Sequence, residues 1–585
     1  MKFFKTTDRK LRSLKQDRPV RRSRPARGIH KRLERKGKRP KVAYFCMEYG
    51  LDNSLPIYAG GLGILAGDVL KAARDENMPL VGIGLLWRQG YTSQRLEEGR
   101  PVDCYPRHDH VYDLVDDTGV RVSVDIRGRE VICAVYRASG FGNADLYLLD
   151  ANHPANEAGD AWLTGQLYGW FSEERIAQEM ILGIGGVRAL RALNIDVDVY
   201  HFNEGHAALA GTELIEEKRA GGAGFEKALK NTREEVVFTT HTPVEQGNEE
   251  HSLRTLSYMG AFNGLSLDEM VQIGGAPFNM TVAGLRLSSL ANGVSQLHGR
   301  TACRMWEDVD DRAPIEAITN GVHRGSWVDE EVVSAWREDG GPSVAAEHAK
   351  NKAELLDFIT ERTGQKLAED RLLLGFARRA VPYKRATLLF SDEERIGPYL
   401  EEGKIQIVYA GKAHPLDDNG KDIVAELVRM SRKYPEAVVF LPDYDMEIGR
   451  LLTRGVDVWL NNPRRPLEAS GTSGMKAAMN GIPNLSILDG WWPEACQHGV
   501  NGWKIGDGFE ADTAQKQDEH DRKKLYRVLL KEVVPLYYEK PEEFARIREN
   551  SIASTIDEFT AAEMMKNYYD RLYSQNRRRS AERMG

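Results

Sequence analysis

From Lys41 onward, short β-rich runs alternate with amphipathic helical runs, and this alternation restricts the chain to an α/β fold built on parallel strands. Val42 to Glu48, Leu80 to Leu86, Val197 to Phe202 and Val236 to His241 read as strands in the first half. Helices are expected over Leu62 to Arg74 and Ala207 to Lys218. In the second half, strands are expected over Leu372 to Ala377, Ile405 to Tyr409, Ala437 to Leu441, Val456 to Leu460 and Pro483 to Leu488, with a helix over Asp422 to Lys433. At 585 residues the chain exceeds one ordinary domain, so two large lobes are expected, with Ile318 to His323 as the hinge region. No repeat of solenoid period is present.

Residues 1–40 break this pattern. They hold 17 Lys or Arg against Asp8, Asp17 and Glu34, a net of +14 in a chain whose total is −7. Few apolar groups and strong self-repulsion leave such an arm little burial to offset chain entropy, so it is expected to be disordered alone. It reads either as a tail for polyanions or as an appendage without function. For the folded part no nucleic acid partner is expected. Five scattered cysteines, Cys46, Cys104, Cys133, Cys303 and Cys496, match no metal knuckle and suit a reducing compartment. No apolar stretch is long enough to span a bilayer, and the first residues lack a secretory apolar block, so a cytoplasmic protein without a membrane partner is expected.

In open parallel sheets, ligands bind beyond the carboxyl ends of the strands, so polar residues there carry the most weight. Gly60 and Gly61 lie in a turn whose missing side chains let a ligand reach the backbone, although its spacing matches neither a dinucleotide fingerprint nor a P-loop. Directly after Ala377 come Arg378, Arg379, Lys384 and Arg385, a cationic cluster suited to a phosphate dianion or to a solvated surface. Glu468-Ala-Ser-Gly471-Thr472-Ser-Gly474-Met475-Lys476 opens a helix with a glycine turn and ends in a lysine among apolar neighbours. Amides at a helix start attract phosphate, and a desolvated amine favours the neutral form that imine chemistry needs. His201 and His206 stand five apart rather than the four that would set both on one helix face, and His108 and His110 have no downstream partners, so no metal is expected. Trp491 and Trp492 suit either a sugar face or a core.

These segments, in order from about Lys41 to Gly508 and most closely between Leu372 and Glu494, resemble the α-glucan phosphorylases, the glycogen and maltodextrin phosphorylase family. The resemblance implies a glycosyltransferase of GT-B type, with two doubly wound Rossmann-like domains facing a central cleft. An N-terminal glucan-binding lobe would span 41–323 and a C-terminal cofactor- and phosphate-binding lobe 324–553. Residues 554–585 would hold a helix crossing back to the first lobe, from about Glu563 to Tyr573, and a basic tail. By the same resemblance Lys476 is the lysine bound to pyridoxal 5'-phosphate. Tyr444 and Trp327 lie beside that cofactor, and Arg378 neutralises its phosphate. Arg379 and Lys384 bind the substrate phosphate with the amides around Gly60, Gly61, Gly471 and Thr472, while His241, Asn320 and Glu468 hold the sugar. Lys476, Arg379, Lys384 and His241 would then be the catalytic set.

The implied reaction is retaining phosphorolysis of α-1,4-glucans to α-glucose 1-phosphate, with glucan, inorganic phosphate and glucose 1-phosphate as the small-molecule partners. Two features depart from the longer members of the family. Gly474 stands where they usually carry asparagine, and Asp489-Gly490-Trp491-Trp492-Pro493-Glu494 replaces their sequence beyond the cofactor helix. A short bacterial or archaeal type fits better, and its regulation, glucan length and self-association into a homo-oligomer stay open. The alternatives are a nucleotide-sugar glucan synthase of the glycogen synthase type, which has no use for Lys476, and a non-catalytic glucan-binding protein.

Overall fold

A computed structural model describes residues 39–168, 172–244, 247–338 and 340–574. Nearly all of the basic arm expected over 1–40, and the tail beyond 574, lie outside the described residues. In the first half the strands are β1 (Val42–Phe45), β2 (Leu80–Leu85), β3 (Ser93–Glu97), β4 (Arg100–Cys104), β5 (Asp116–Ile126), β6 (Arg129–Ala138) and β7 (Leu146–Asp150). They continue with β8 (Val199–Asn203), β9 (Val236–Thr239), β10 (Glu250–His251), β11 (Phe278–Asn279), β12 (Leu290–Gly293) and β13 (Ile315–Ala317). The second half adds β14 (Leu372–Ala377), β15 (Ile405–Ala410), β16 (Val438–Leu441), β17 (Val458–Asn461), β18 (Asn484–Ile487) and β19 (Gly502–Ile505).

Two large sheets result. The first runs β13-β12-β9-β8-β1-β2-β7-β6-β5 and the second β16-β15-β14-β17-β18-β19. The second is parallel throughout, and its strands read as the near-continuous apolar runs that burial on both faces requires. The first is parallel up to β7 and then turns antiparallel through β6 and β5. This extension, like the β3–β4 hairpin, was not legible in the alternation, which looks for helices between strands.

Several sequence expectations shift at their ends for local reasons. The run expected to end at Glu48 leaves the strand after Phe45, and beyond it the Glu48 carboxylate accepts from Ala59 N and Gly60 N at 2.6 and 2.9 Å. Pro483, which has no N–H for a ladder, stays outside β18. The expected helix from Asp422 begins at Asp418, because the Asp417 carboxylate caps Gly420 N at 2.9 Å. The one expected from Ala207 runs over Ala210–Ala220, after a single tight turn at Gly205–Ala207.

Each sheet has its own apolar core. The chain's last helical residues, among them Met564, Met565, Tyr568, Leu572 and Tyr573, belong to the core of the first sheet. There the Tyr573 hydroxyl meets His201 Nδ1 at 2.7 Å, and His201 Nε2 meets the Thr239 hydroxyl. A further cluster packs Trp327, Val332, Met475, Met479, Trp491, Trp492, Ile552 and Phe559 together. Both Trp491 and Trp492 are about fully buried there, which makes them core side chains rather than an exposed sugar platform.

Candidate active site

About half of the candidate residues, and several further polar residues, stand past the carboxyl end of a parallel strand. In the first sheet Glu48 follows β1, Glu204 follows β8, His241 follows β9, Ser295 and His298 follow β12, and Asn320 follows β13. In the second, Arg378 to Lys384 follow β14, Tyr444 follows β16, Glu468 follows β17 and Asp489 follows β18. Direct bonds join the two sets. The Ser295 hydroxyl donates to Ala469 O at 2.7 Å, and Glu494 accepts from the Thr319 hydroxyl at 2.6 Å and from Gln296 N at 2.9 Å. Tyr58 Oη accepts from Met446 N at 3.1 Å.

The cations after β14 converge on one carboxylate. Arg378 reaches Glu468 Oε2 at 2.6 Å and also bonds Asn461, while the Lys384 ammonium bonds the same Glu468 oxygen. All three side chains are buried or nearly so. Burial pushes the Glu468 carboxyl up, but Arg378 and Lys384 outweigh it and hold the group below its ordinary value. Burial, aided by repulsion from Arg378, pulls the Lys384 ammonium down to about 7 despite Glu468. Arg379 is exposed and has no hydrogen bond or ion pair with a described residue. Behind the cluster, Asp489 accepts from Glu468 N at 2.9 Å and Gly490 N at 2.8 Å. Burial and the neighbouring Glu468 charge raise it to about 8.

Lys476 lies on the helix Thr472–Met479, which opens at Gly471 in a left-handed conformation (φ 82°) with no side-chain cap. Uncapped amides at such a start are an anion site. The Lys476 ammonium is buried, pulled down to about 8 by loss of hydration, and rests 3.3 Å from the centroid of the Trp327 ring. The indole N–H of Trp327 donates to both oxygens of Asp68, at 3.0 and 3.1 Å. Asp68 sits on the helix Gly61–Asp75, so this chain of contacts ties the Gly60–Gly61 turn to the lysine helix. A Cβ added at Gly60 or Gly61 would meet nothing within 4 Å, so the backbone there faces open space. Tyr444 is half-buried, and desolvation raises its hydroxyl to about 12.

On the side of the first sheet, His241 Nε2 meets Asn203 Oδ1 at 2.6 Å, and Asn203 Nδ2 donates to Cys46 Sγ. That pairing puts the proton on Nε2 and leaves Nδ1 as an acceptor. Desolvation and the nearby His298, His201 and His206 hold His241 down to about 3, hence neutral. Asn320 is 4% exposed, and its Oδ1 has no partner, as is also true of the Ser470 hydroxyl. Beside the cations and His241, these two atoms leave hydrogen-bonding capacity for a polar ligand. Glu204 holds φ 77° and ψ 167°, a region that costs a non-glycine residue strain and tends to accompany functional sites. Its carboxylate accepts from His241 N and the Thr242 hydroxyl, and burial raises it to about 7.

Sequence reasoning missed Asp68, Glu204 and His298. Asp68 had a signal: it is the one acid on a helix face otherwise made of Ile64, Leu65, Val69 and Ala72. His298, buried with an unpartnered Nε2 beside Thr242 and Glu468, had none. Glu179, Glu249 and His251 bring their ligand atoms within 4.8 Å of one another. Arg175, 2.6 Å from Glu249, already supplies the positive charge such a trio would need.

Gly474 is closely enclosed. A Cβ there would stand 2.5 Å from Asn484 Oδ1 and 3.0 Å from Trp491 Nε1. A side chain at 474 would therefore press first on Asn484 and then on Trp491, so glycine at 474 suits the packing of both.

A family model described as carbohydrate phosphorylase matches residues 340–574. Over 586 residues the chain is 39% identical to the maltodextrin phosphorylase of Thermococcus litoralis, which covers 91% of this chain and 70% of that protein. It is 37% identical over 610 residues to the glycogen phosphorylase of Mycobacterium tuberculosis, with the same two coverages. With the glycogen phosphorylase of Aquifex aeolicus the identity is 32% over 611 residues, covering 93% of this chain and 87% of that protein. The chain belongs to the α-glucan phosphorylase family and is an enzyme, a glucan phosphorylase. A nucleotide-sugar synthase and a non-catalytic binder are thereby set aside. No helix among the described residues is long and apolar enough to cross a membrane.

Proposed function

We propose that the chain catalyses pyridoxal-phosphate-dependent phosphorolysis of α-1,4-glucans, as in glycogen, starch or maltodextrin, from the non-reducing end with retention. The observation that carries this reading is the buried Lys476 amine, held near 8 on the face of Trp327 at an uncapped helix start. Lys476, Trp327, Tyr444, Arg378 and the amides after Gly471 are the groups that would hold the cofactor. A desolvated amine on an aromatic face, cations nearby and free amides suit an aromatic aldehyde carrying a phosphate. When bound, pyridoxal phosphate supplies a phosphate group able to exchange a proton with the substrate phosphate.

The residues past the two sets of strand ends define the working cleft in this reading, between Rossmann-like lobes 41–323 and 324–553. Residues from 554 onward return to the first lobe. Arg379 and Lys384 hold inorganic phosphate, with the open backbone at Gly60 and Gly61 and the amide of Thr472. Glu468, which neutralises Arg378 and Lys384 in the fold, shares them with phosphate and turns an oxygen to a sugar hydroxyl. His241 Nδ1 and Asn320 Oδ1 accept the remaining hydroxyls, which fixes the terminal glucose relative to phosphate. The glycosidic bond breaks as a proton passes from phosphate to the departing oxygen, leaving an oxocarbenium-like C1. A phosphate oxygen then bonds C1 on the same face, giving α-glucose 1-phosphate and a glucan shorter by one unit. Preorganised cations in a water-poor cleft stabilise the charge that develops. The scattered spacing of the five cysteines is the ground for reading a reducing, cytoplasmic setting.

Incubation of cofactor-loaded protein with maltodextrin tests the reading. Release of glucose 1-phosphate should require phosphate and should vanish in Lys476→Ala. Glucose transfer from a nucleotide sugar, or sugar binding with no phosphorolysis, would overturn it.

A further inference from the structure

The β3–β4 hairpin leaves the first sheet's half of the chain and docks on loops of the second. At its base, Gln94 is 4% exposed and forms two bonds with one residue: Nε2 donates to Ala413 O at 2.8 Å, and Oε1 accepts from Ala413 N at 3.0 Å. The side chain thus pairs with the 411–414 loop as a neighbouring strand would. The amide orientation is forced, since Nε2 also donates to Asp103 Oδ1 at 2.8 Å, where an oxygen would be repelled. The flanking residues reinforce the joint. Gln94 N and the Ser93 hydroxyl donate to Asp443, and the Lys412 ammonium spans from Thr92 O to Asp443.

The pinned loop lies directly under the cations. Ala380 N donates to Lys412 O at 2.9 Å, and Arg378 N donates to Ala410 O at 3.1 Å. At Gly411 the contact is so close that a Cβ would stand 2.0 Å from Arg378 O. Arg379 therefore hangs between two residues whose backbones rest on the loop that Gln94 grips. Its own side chain makes no hydrogen bond or ion pair with a described residue and meets Tyr91, Tyr383, Lys384 and His414 only through its charge, so its aim depends on this backbone.

We propose that Gln94 is a positioning residue for Arg379, acting from the opposite half of the chain through the 411–414 loop. The proposal rests on the reading of Arg379 and Lys384 as the substrate phosphate site. Its chemical consequence is selective: loosening the loop should misaim Arg379 without touching His241 or Asn320, which stand on the first sheet.

The test compares Gln94→Glu, Gln94→Met and Arg379→Ala in phosphorolysis, with KM measured separately for inorganic phosphate and for maltodextrin. Gln94→Glu keeps the shape but sets a carboxylate against Ala413 O and Asp103, and Gln94→Met removes both bonds to Ala413 and the one to Asp103. Each should raise the phosphate KM about tenfold or more, as sub-ångström misplacement of a charge clamp does, and leave the maltodextrin KM within about twofold. Combined with Arg379→Ala, the effect of Gln94→Glu on phosphate should largely vanish, since both act through one guanidinium. Arg100→Ala, which cuts a surface pair from the same hairpin to Asp422 on the helix Asp418–Lys433, should leave both constants unchanged. Should the Gln94 variants fail to fold, Asp443→Asn gives the milder perturbation, with the same selectivity expected.

Arg379→Ala without effect on the phosphate KM would defeat the phosphate-site reading itself. If Arg379→Ala raises that constant but the Gln94 variants shift both substrates equally, or neither, or add fully to Arg379→Ala, then Gln94 is only a structural joint and the proposal fails.

Discussion

Glu468→Gln tests how charge is balanced at the centre of the site. One carboxylate serves two buried cations, Arg378 at 2.6 Å and Lys384. Removing one partner of a buried ion pair ordinarily costs about 3–5 kcal/mol, because the other charge is left without compensation. The two cations respond differently. Arg378 cannot shed its proton and keeps only Asn461, so at pH 8 the loss should be about 3 kcal/mol. Lys384 stands near 7 with Glu468 in place and falls further without it. Below pH 7 the parent therefore keeps this ammonium charged, whereas the folded variant holds it neutral and the unfolded chain holds it charged. With more protons on the unfolded state, stability of the variant falls with falling pH, by about 1.4 kcal/mol per unit relative to the parent. At pH 6 the deficit should exceed that at pH 8 by about that amount. Phosphate, bound in place of the lost carboxylate, should restore about 2.7 kcal/mol at a hundred times its dissociation constant, and should stabilise the variant more than the parent. Denaturant unfolding at pH 6 and 8, with and without phosphate, reads all three effects. A deficit that is independent of pH, or a variant that phosphate does not rescue, would refute this assignment of charges.

Asn320→Ala should leave stability unchanged or slightly raised, since its buried Oδ1 has no partner to lose, while kcat/KM for maltodextrin falls about 10- to 100-fold; paired unfolding and rate measurements check both. Glu204 stands near 7 in the fold against an ordinary 4.5, so its contribution to stability is full below pH 4.5 and is lost as pH rises through 7. Relative to the parent, Glu204→Gln should accordingly gain about 3 kcal/mol between pH 4.5 and 7.5, seen as a difference of denaturation curves. Gly474→Asn should destabilise by about 1–3 kcal/mol through overpacking against Asn484 and Trp491, and adding Trp491→Ala should recover part of the loss.

The alternation of strands and helices made the parallel core of both sheets legible, and the run Leu372 to Ala377 matches β14 residue for residue. Strand ends were less legible where the chain turns out of the sheet toward a loop, as it does before Glu48, whose carboxylate accepts from Gly60 N. The β5–β7 extension and the β3–β4 hairpin escaped because nothing in a βαβ pattern announces an antiparallel return. At the site, glycine turns, a cation run and a helix-opening lysine are local features, and local features are what sequence displays. Partners distant in sequence are not. Asp68 beneath Trp327, 259 positions away, and Gln94 on Ala413, 319 positions away, arise only when the two halves meet. The family resemblance implies a sugar ligand at Glu468, but nothing in its sequence neighbours shows that it also neutralises Arg378 and Lys384, because that depends on burial.

Borohydride reduction of the cofactor-loaded enzyme, followed by proteolysis and mass spectrometry, addresses the central claim most directly. A pyridoxyl group on Lys476 is the expected result, together with loss of phosphorolysis. A pyridoxyl group on another lysine, or none on a protein that still releases glucose 1-phosphate, would contradict it.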